Sequence, residues 1–468
     1  MAACSKEQTS SPPLTPSPSL ATLATVAPDP TAIPAPTATR TPAPTPTPAP
    51  EPPPFDPGPV ILPTVGLPSA TPTATLTDPL TATLRPIGRR VAVLRELFEL
   101  TSLETTVITR DELGIRLRKD LDEDKDEIAQ RQALYAVLGI MDKDASLHDL
   151  LLGLYGEQVI GLFDSEEEQL YIVSDTDEIG AMDEATYAHE FTHGLQQRHF
   201  DIHSVRESLE GNSDQALAYR GVVEGDATLA ERIYVFQQMD EAQRAQIAEE
   251  SAALDSTPLD SAPHVIQREF IFPYREGFEF VATILAAASW PAVGSWRSVN
   301  QLHEDIPLST EQILHPEKYA AKEEPIEVIL PDVASVLGGG WMVLREDTLG
   351  EFFLLTYLED HIAQEEADGA AAGWGGDAYA LFEGPEGALL LQTVIAWDGE
   401  DDAQEFFDAF VQFTSARTGA EWQPIEGDPS AQTIALPGQV IFAALEGSRT
   451  TLVFAPDTDT LDAAVGAP

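Results

Sequence analysis

The residues with the clearest chemical potential are His189, Glu190 and His193, which stand in the spacing HExxH within TYAHEFTHGLQQRHF, residues 186–200. Tyr187, Phe191 and Leu195 recur at i, i+4 and i+8 in the same stretch, which predicts an amphipathic helix with a core face. His189 and His193, also four apart, project together from a different face, and two imidazoles one turn apart can ligate one tetrahedral zinc ion. Glu190 sits about 100° round the helix from His189. That displacement removes it from the ligand pair and sets it beside the open coordination position, where a carboxylate can act as general base towards water. The spacing predicts two zinc ligands and a base.

A catalytic zinc takes a third protein ligand and keeps a fourth position open. The chain has a single cysteine, Cys4, so a disulfide within the chain and a thiolate cluster are excluded, and the ligands come from the nine histidines and the carboxylates. Residues 213–240 read as a helix opened by Asn212 or Ser213, with Leu217, Val223, Ala227, Ala230 and Tyr234 in apolar register. Glu224 lies in its middle, in VVEGDAT, and is the favoured third ligand, while Gly225 and Ala227 allow a close helix approach. Glu231, in the more polar AERIY, is the second candidate and reads more readily as a solvated charge. An oxyanion donor is also required for hydrolysis. Tyr274, beside Arg275 at an expected helix start in FPYREGFEF, and His315, after a short helix capped by Ser309, are the candidates. His199, His203, His264 and His303 have no partner pattern and are expected at the surface.

The elements that position these residues follow from periodicity. Residues 91–101 and 122–141 read as helices, and residues 159–164 and 169–175 as strands joined by the acidic turn Ser165 to Glu168. This hairpin leads into the HExxH helix and offers an edge on which an extended substrate could lie. After about Pro331 the pattern changes to an α+β unit: a helix over residues 344–362, strands over 377–383, 387–398 and 438–456, and a helix over Ala403 to Thr414. That unit contains no constellation of titratable groups that reads as catalytic.

With 26 Lys+Arg against 78 Asp+Glu, the formal charge of −52 excludes nucleic acid as a partner and disfavours anionic membrane surfaces. The apolar stretch Val281 to Ala292 is broken by Pro291 and is too short to span a bilayer. Of the 37 prolines, 23 fall in the first 86 residues, so residues 1–86 read as a disordered Pro/Thr-rich tether with little apolar material to bury. At its start, the small residues before Cys4 and the polar stretch after it resemble the end of a bacterial lipoprotein signal, which would make Cys4 a lipidated terminus and the only route to a membrane.

Taken together, HEFTHGLQQRHFD followed by VVEGDAT resembles the gluzincin side of the zincin metallopeptidases, specifically bacterial lipoprotein peptidases with patterns of the type HExxHALQDQxFD and EGDA. The STEQ, HPEKY and FPY elements look like the downstream part of the same peptidases, and the resemblance covers approximately residues 90 to 320. It implies that His189, His193 and Glu224 ligate zinc and that Glu190 is the base. Gly194 stands where Ala is usual and Gln197-Arg198 where Asp-Gln is usual, so the amide oxygen of Gln197, or the carboxylate of Asp201 or Asp226, would support a ligand imidazole. The expectation is therefore an α+β chain: a tether (1–86), a zincin-like, mostly helical catalytic domain with a β-hairpin before its active-site helix (87–330), and a smaller α+β accessory domain (331–468). Its function would be that of an extracytoplasmic zinc metallopeptidase acting on a peptide or protein substrate. The alternative is a non-catalytic surface lipoprotein with a structural or vestigial zinc site and a partner-binding C-terminal domain.

Overall fold

A computed structural model describes residues 79–98, 103–158, 161–173, 179–253, 256–287 and 295–467. Cys4 and the proline-rich segment up to residue 78 lie outside the described residues, as do residues 99–101, 159–160 and 174–175 of the expected elements. The fold is mixed α+β, with a helical half followed by a seven-stranded antiparallel sheet.

Helix α1 (Pro79–Arg95) begins inside the segment expected to be tether, and its Leu84 is fully buried with Ile87 and Val91. A short strand β1 (Glu104–Ile108) follows, then α2 (Arg110–Glu123), α3 (Lys125–Leu138) and α4 (Leu147–Gln158). The single helix expected over 122–141 is thus replaced by two that meet at Asp124, and Gly139 in the left-handed region closes the second. Strands β2 (Gly161–Asp164) and β3 (Gln169–Val173) form the expected antiparallel hairpin, and β1 pairs with β3 in parallel, giving the order β1-β3-β2. Strand β2 is therefore an edge. Periodicity did not reveal β1, whose five residues alternate between exposed and half-buried and carry no apolar run.

The HExxH motif lies on α5 (Ala181–Phe200), and Tyr187, Phe191 and Leu195 are buried as their spacing requires. After the short α6 (Ile202–Ser208) comes α7 (Ser213–Gln238), where the Asn212 side chain accepts the Gln215 N–H and so serves as the cap. Helices α8 (Glu241–Ala252) and α9 (Thr257–Asp260) lead to α10 (His264–Ala287), which runs through Pro273; Tyr274 and Arg275 therefore sit in mid-helix, not at a helix start. Next come α11 (Arg297–Glu304), α12 (Thr310–Leu314), α13 (Pro316–Ala321) and α14 (Ala334–Leu337).

The C-terminal part comprises β4 (Met342–Asp347), α15 (Gly350–Glu359), α16 (Gln364–Ala371), β5 (Trp374–Glu383), β6 (Leu389–Trp397), α17 (Glu400–Thr418), β7 (Gln423–Ile425), β8 (Asp428–Leu436), β9 (Gln439–Glu446), β10 (Arg449–Ala455) and α18 (Thr458–Val465). Its strands run in the order β4-β5-β6-β10-β9-β8-β7. The helix expected over 344–362 divides at Gly350, whose φ of +83° and contact with Asp214 suit only glycine. Residues before it join the sheet, and the carboxylate of Asp377 accepts the Leu349 and Gly350 N–H groups at 2.9 and 2.8 Å at the head of α15. The boundary expected near residue 331 does not separate two cores. Leu134, Leu154 and Ile266 from the helical half pack in one apolar cluster with Leu358, Leu381, Ile395 and Phe413.

Helices α7 and α10 cross so closely that their backbones touch. A Cβ on Gly225 would lie 2.4 Å from the Gly277 carbonyl oxygen, and one on Gly277 would lie 2.3 Å from that of Gly221. Glu224 is adjacent to this contact and Tyr274 is three residues from it. Gly225→Ala should therefore destabilise the protein by about 3 kcal/mol, the upper end of overpacking costs, because backbone cannot move aside as a side chain can. Urea denaturation monitored by circular dichroism checks this, and a loss under 1 kcal/mol would show that the two helices can separate freely.

Candidate metal centre

Helices α5 and α7 bring three ligand-capable atoms together. His189 Nε2 and His193 Nε2 are 3.1 Å apart, and Glu224 Oε2 lies 3.2 Å from each. Ligands held at roughly 2.0–2.2 Å in a tetrahedron lie about 3.3 Å from one another, so this triangle has the dimensions of one face of a tetrahedral site. The donor set, two imidazole nitrogens and a carboxylate oxygen, suits a borderline divalent cation. His189, His193 and Glu224 could hold a metal ion.

Each imidazole is oriented from behind. His193 Nδ1 donates to Gln196 Oε1 at 2.8 Å, and the amide nitrogen of Gln196 donates to Val223 O at 2.9 Å and to Asp226 Oδ2 at 2.8 Å. His189 Nδ1 faces Glu231 Oε2 at 3.2 Å. Asp226 in turn accepts two bonds from Arg95, at 2.6 and 2.9 Å, and one from His303 Nε2 at 3.2 Å. Arg95 and Asp226 are both fully buried, and the Arg95 guanidinium stacks 4.4 Å above the Trp296 ring. Burial works against the Asp226 charge, but Arg95 and His303 overcome it and hold the carboxyl well below the usual range.

This network corrects several expectations. Glu231 is a partner of His189, not a solvated charge. Gln197 points away from the site, donating to Asp201 Oδ1 and accepting the His203 N–H, so Gln196 takes the role expected of Gln197 or Asp201. Asp226 acts one bond further back, through Gln196. His303, expected at the surface, is buried and stacks on Phe200 at 4.4 Å. The other three keep local partners: His199 faces the Phe98 carbonyl, His203 lies near Glu207 and His264 bonds Glu359.

Glu190 stands beside the triangle. Its carboxylate accepts the backbone N–H of Phe163 on the edge strand β2; burial raises its pKa, and the two histidines pull the other way. Gly161 on the same strand packs directly against the Glu190 side chain. The ring of Tyr274 lies 6.2 Å from that of His189, centroid to centroid. Burial and the Glu224 charge keep its phenol protonated far above neutral pH, while its oxygen accepts a hydrogen bond from Arg220, a residue that sequence reasoning passed over. His315 is not brought to this site: its Nε2 bonds Glu351 Oε1 at 2.8 Å, below α15. A second acidic group, Glu311, Glu323 and Asp398, already surrounds a cation, because Lys318 Nζ lies 2.6, 2.8 and 2.7 Å from the three.

Two predictions follow from this geometry. Glu224→Ala removes an anionic ligand and should reduce metal affinity beyond detection after dialysis against a mild chelator, whereas Glu231→Ala and Gln196→Ala should each weaken it about 10- to 100-fold. If Glu231→Ala leaves the affinity unchanged, the contact at His189 Nδ1 does not orient the ligand. The second concerns pH. Burial alone would lower the pKa of His189 and His193, but Glu224, with Glu231 at His189, outweighs it and raises both. Without metal the pair therefore holds protons to a higher pH than free imidazole, and metal must displace them. Affinity should fall by at least about 10-fold per pH unit on going from pH 8 to pH 6, with protons released on binding, as calorimetry in buffers of different ionisation enthalpy would measure.

Residues 342–465, which span β4 to α18, match a family described as a domain of unknown function (DUF8575). No curated protein and no solved structure matches the chain.

Proposed function

We propose that the chain is a zincin-like zinc metallopeptidase that hydrolyses peptide bonds outside the cytoplasm. The observation that carries this reading is the convergence of His189, His193 and Glu224 on one point, with the carboxylate of Glu190 held beside it by the Phe163 N–H. A purely structural site has no need of a base at that position. Zinc, when bound by these residues, supplies Lewis acidity to a peptide carbonyl and to a water molecule.

The chain's own groups would carry the remaining steps. Glu190, with its pKa raised by burial, takes the water proton at its carboxylate and returns it to the leaving amine nitrogen. Tyr274 remains protonated and donates its phenol hydrogen to the oxygen that gains charge, while Arg220 fixes the phenol oxygen. The free edge of β2 would align an extended peptide in register with Glu190. A lipid on Cys4 and a proline-rich spacer would place this activity at the cell surface. Among the described residues no helix is long and apolar enough to cross a membrane.

Glu190→Gln should retain about one zinc per chain and lose peptide hydrolysis by about 100-fold or more, the usual worth of a positioned base. Tyr274→Phe should lower kcat by about 100-fold with little change in KM, since its bond is made to charge that develops only in the transition state. Metal analysis alongside a broad peptide-cleavage screen tests both; native-rate cleavage by the Glu190→Gln protein would sink the mechanism.

A further inference from the structure

A cleft of about 680 Å³ runs between the helical half and the head of α15; His189, Glu190, His193, Glu224 and Tyr274 are not among its lining residues, but two residues that line it adjoin them. One is Phe163, whose N–H holds Glu190, and the other is Arg220, which bonds Tyr274. Four arginines line it: Arg131, Arg206, Arg220 and Arg345. Two of them are neutralised. Arg131 bonds both oxygens of Glu269 at 3.1 and 3.0 Å, and Arg345 bonds Asp347 Oδ2 at 3.0 and 2.6 Å.

Arg206 and Arg220 differ. Among the described residues neither has a carboxylate within ion-pair distance, in a chain with 78 acidic residues and 26 basic ones. The acidic groups closest to Arg220 are already engaged: Glu224 with the two histidines and Glu269 with Arg131. Asp120, Glu123, Asp124 and Glu127 form an acidic wall of the same cleft, and the Arg206 charge acts on Asp124, yet none of the four lies within ion-pair distance of either arginine. Burial and the Arg220 charge lower the pKa of the Arg206 guanidinium, so the two cations act on one another. Two guanidinium groups left without a protein carboxylate beside a hydrolytic centre form a site for an oxyanion from outside the chain.

We propose that Arg206 and Arg220 bind the free C-terminal carboxylate of the substrate, so that the enzyme removes one or two residues from peptide C-termini. This rests on the peptidase reading above. Arg220 precedes the ligand Glu224 by one helical turn, a rise of about 6 Å. An extended peptide advances roughly 3.3 Å per residue, so a carboxylate held there lies one or two residues beyond the bond attacked. The acidic wall disfavours additional negative charge on the substrate, which favours a peptide whose single carboxylate is its terminus.

The test compares one peptide as free acid, as C-terminal amide, and as an amide with an internal glutamate two residues after the cleaved bond. Equilibrium binding is measured to the full-length zinc-loaded Glu190→Gln protein, and kcat and KM to the native enzyme. The free acid should bind about 10- to 100-fold tighter than the amide, as expected for one charge-assisted pair. Arg206→Gln in the Glu190→Gln background should abolish that preference while leaving amide binding unchanged, and Arg220→Gln should abolish it as well, with a change in amide binding also expected because Arg220 bonds Tyr274. Arg206 is more exposed than Arg220, so its substitution keeps the test valid if Arg220→Gln does not fold. Equal binding of acid and amide, or equal weakening of both by Arg206→Gln, would overturn the proposal. Tight binding of the internal-glutamate amide, lost in both variants, would overturn the terminal assignment and make the pair a reader of acidic side chains. If the native enzyme takes up zinc but cleaves nothing, the peptidase reading fails, whereas an acid-over-amide preference in binding would still report the subsite.

Discussion

A carboxylate sealed from water keeps its charge only if donors surround it, and Asp226 draws its donors from three other helices. Arg95 comes from α1, Gln196 from α5 and His303 from α11, all meeting one residue of α7. The orientation of the Gln196 amide follows, because its nitrogen must serve two acceptors, the Asp226 carboxylate and the Val223 carbonyl. Its oxygen is thereby presented to His193 Nδ1, which must carry the hydrogen, and the lone pair of His193 is left on Nε2, facing Glu224 and His189. The charge that locks four helices together also decides which nitrogen of His193 is free. Fold and site are one constraint here, because removing either member of a buried pair costs about 3–5 kcal/mol and would also release the amide that sets the ligand.

The two histidines of the candidate site are supported in different ways. Behind His193 stands a neutral amide with no access to water, and behind His189 a carboxylate that is 32% exposed. A carboxylate raises the basicity of its imidazole more than an amide does, whereas a buried amide fixes direction without adding charge. Three carboxylates, Glu190, Glu224 and Glu231, therefore cluster about two imidazoles, and a dication there would bring the same two positive charges as protons on both rings.

What the sequence discloses here is decided by period and what it conceals by packing. The HExxH spacing, its apolar stripe and the cap of α7 are local, and each could be read without knowing the neighbours. Glu231 follows Glu224 by seven residues, close to two full turns, so the two share a face, and Arg220 lies on that face one turn before. That arithmetic was available and would have marked all three as a stripe; the polar setting of Glu231 argued for solvent because nothing local shows α5 lying over it. Gln196 and Gln197 are harder. Both follow His193 at helical spacing, and only the position of Asp226, thirty residues from Gln196, selects the first. His303 could not be placed from sequence at all, since its burial depends on Phe200 and Asp226 arriving from separate helices.

The C-terminal sheet, which reads as an accessory unit, takes part in holding α7. The first turn of a helix exposes N–H groups without partners, and here Asp347 from the end of β4 accepts the Ser213 N–H at 2.7 Å and its hydroxyl at 2.6 Å. Next along the chain, the buried carboxyl of Asp214 accepts the Thr310 N–H, and α15 begins against it at Gly350. The Asp347 carboxylate at that end of α7 also offsets the positive pole of the helix. Glu224 stands three turns further on, so its register is set from both ends: by glycine contacts with α10 beside it and by the sheet's Asp347 carboxylate behind it. Cutting the chain near residue 331 would remove Asp347 and most of the shared apolar cluster, and so would loosen α7 even though His189, His193 and Glu224 all remained.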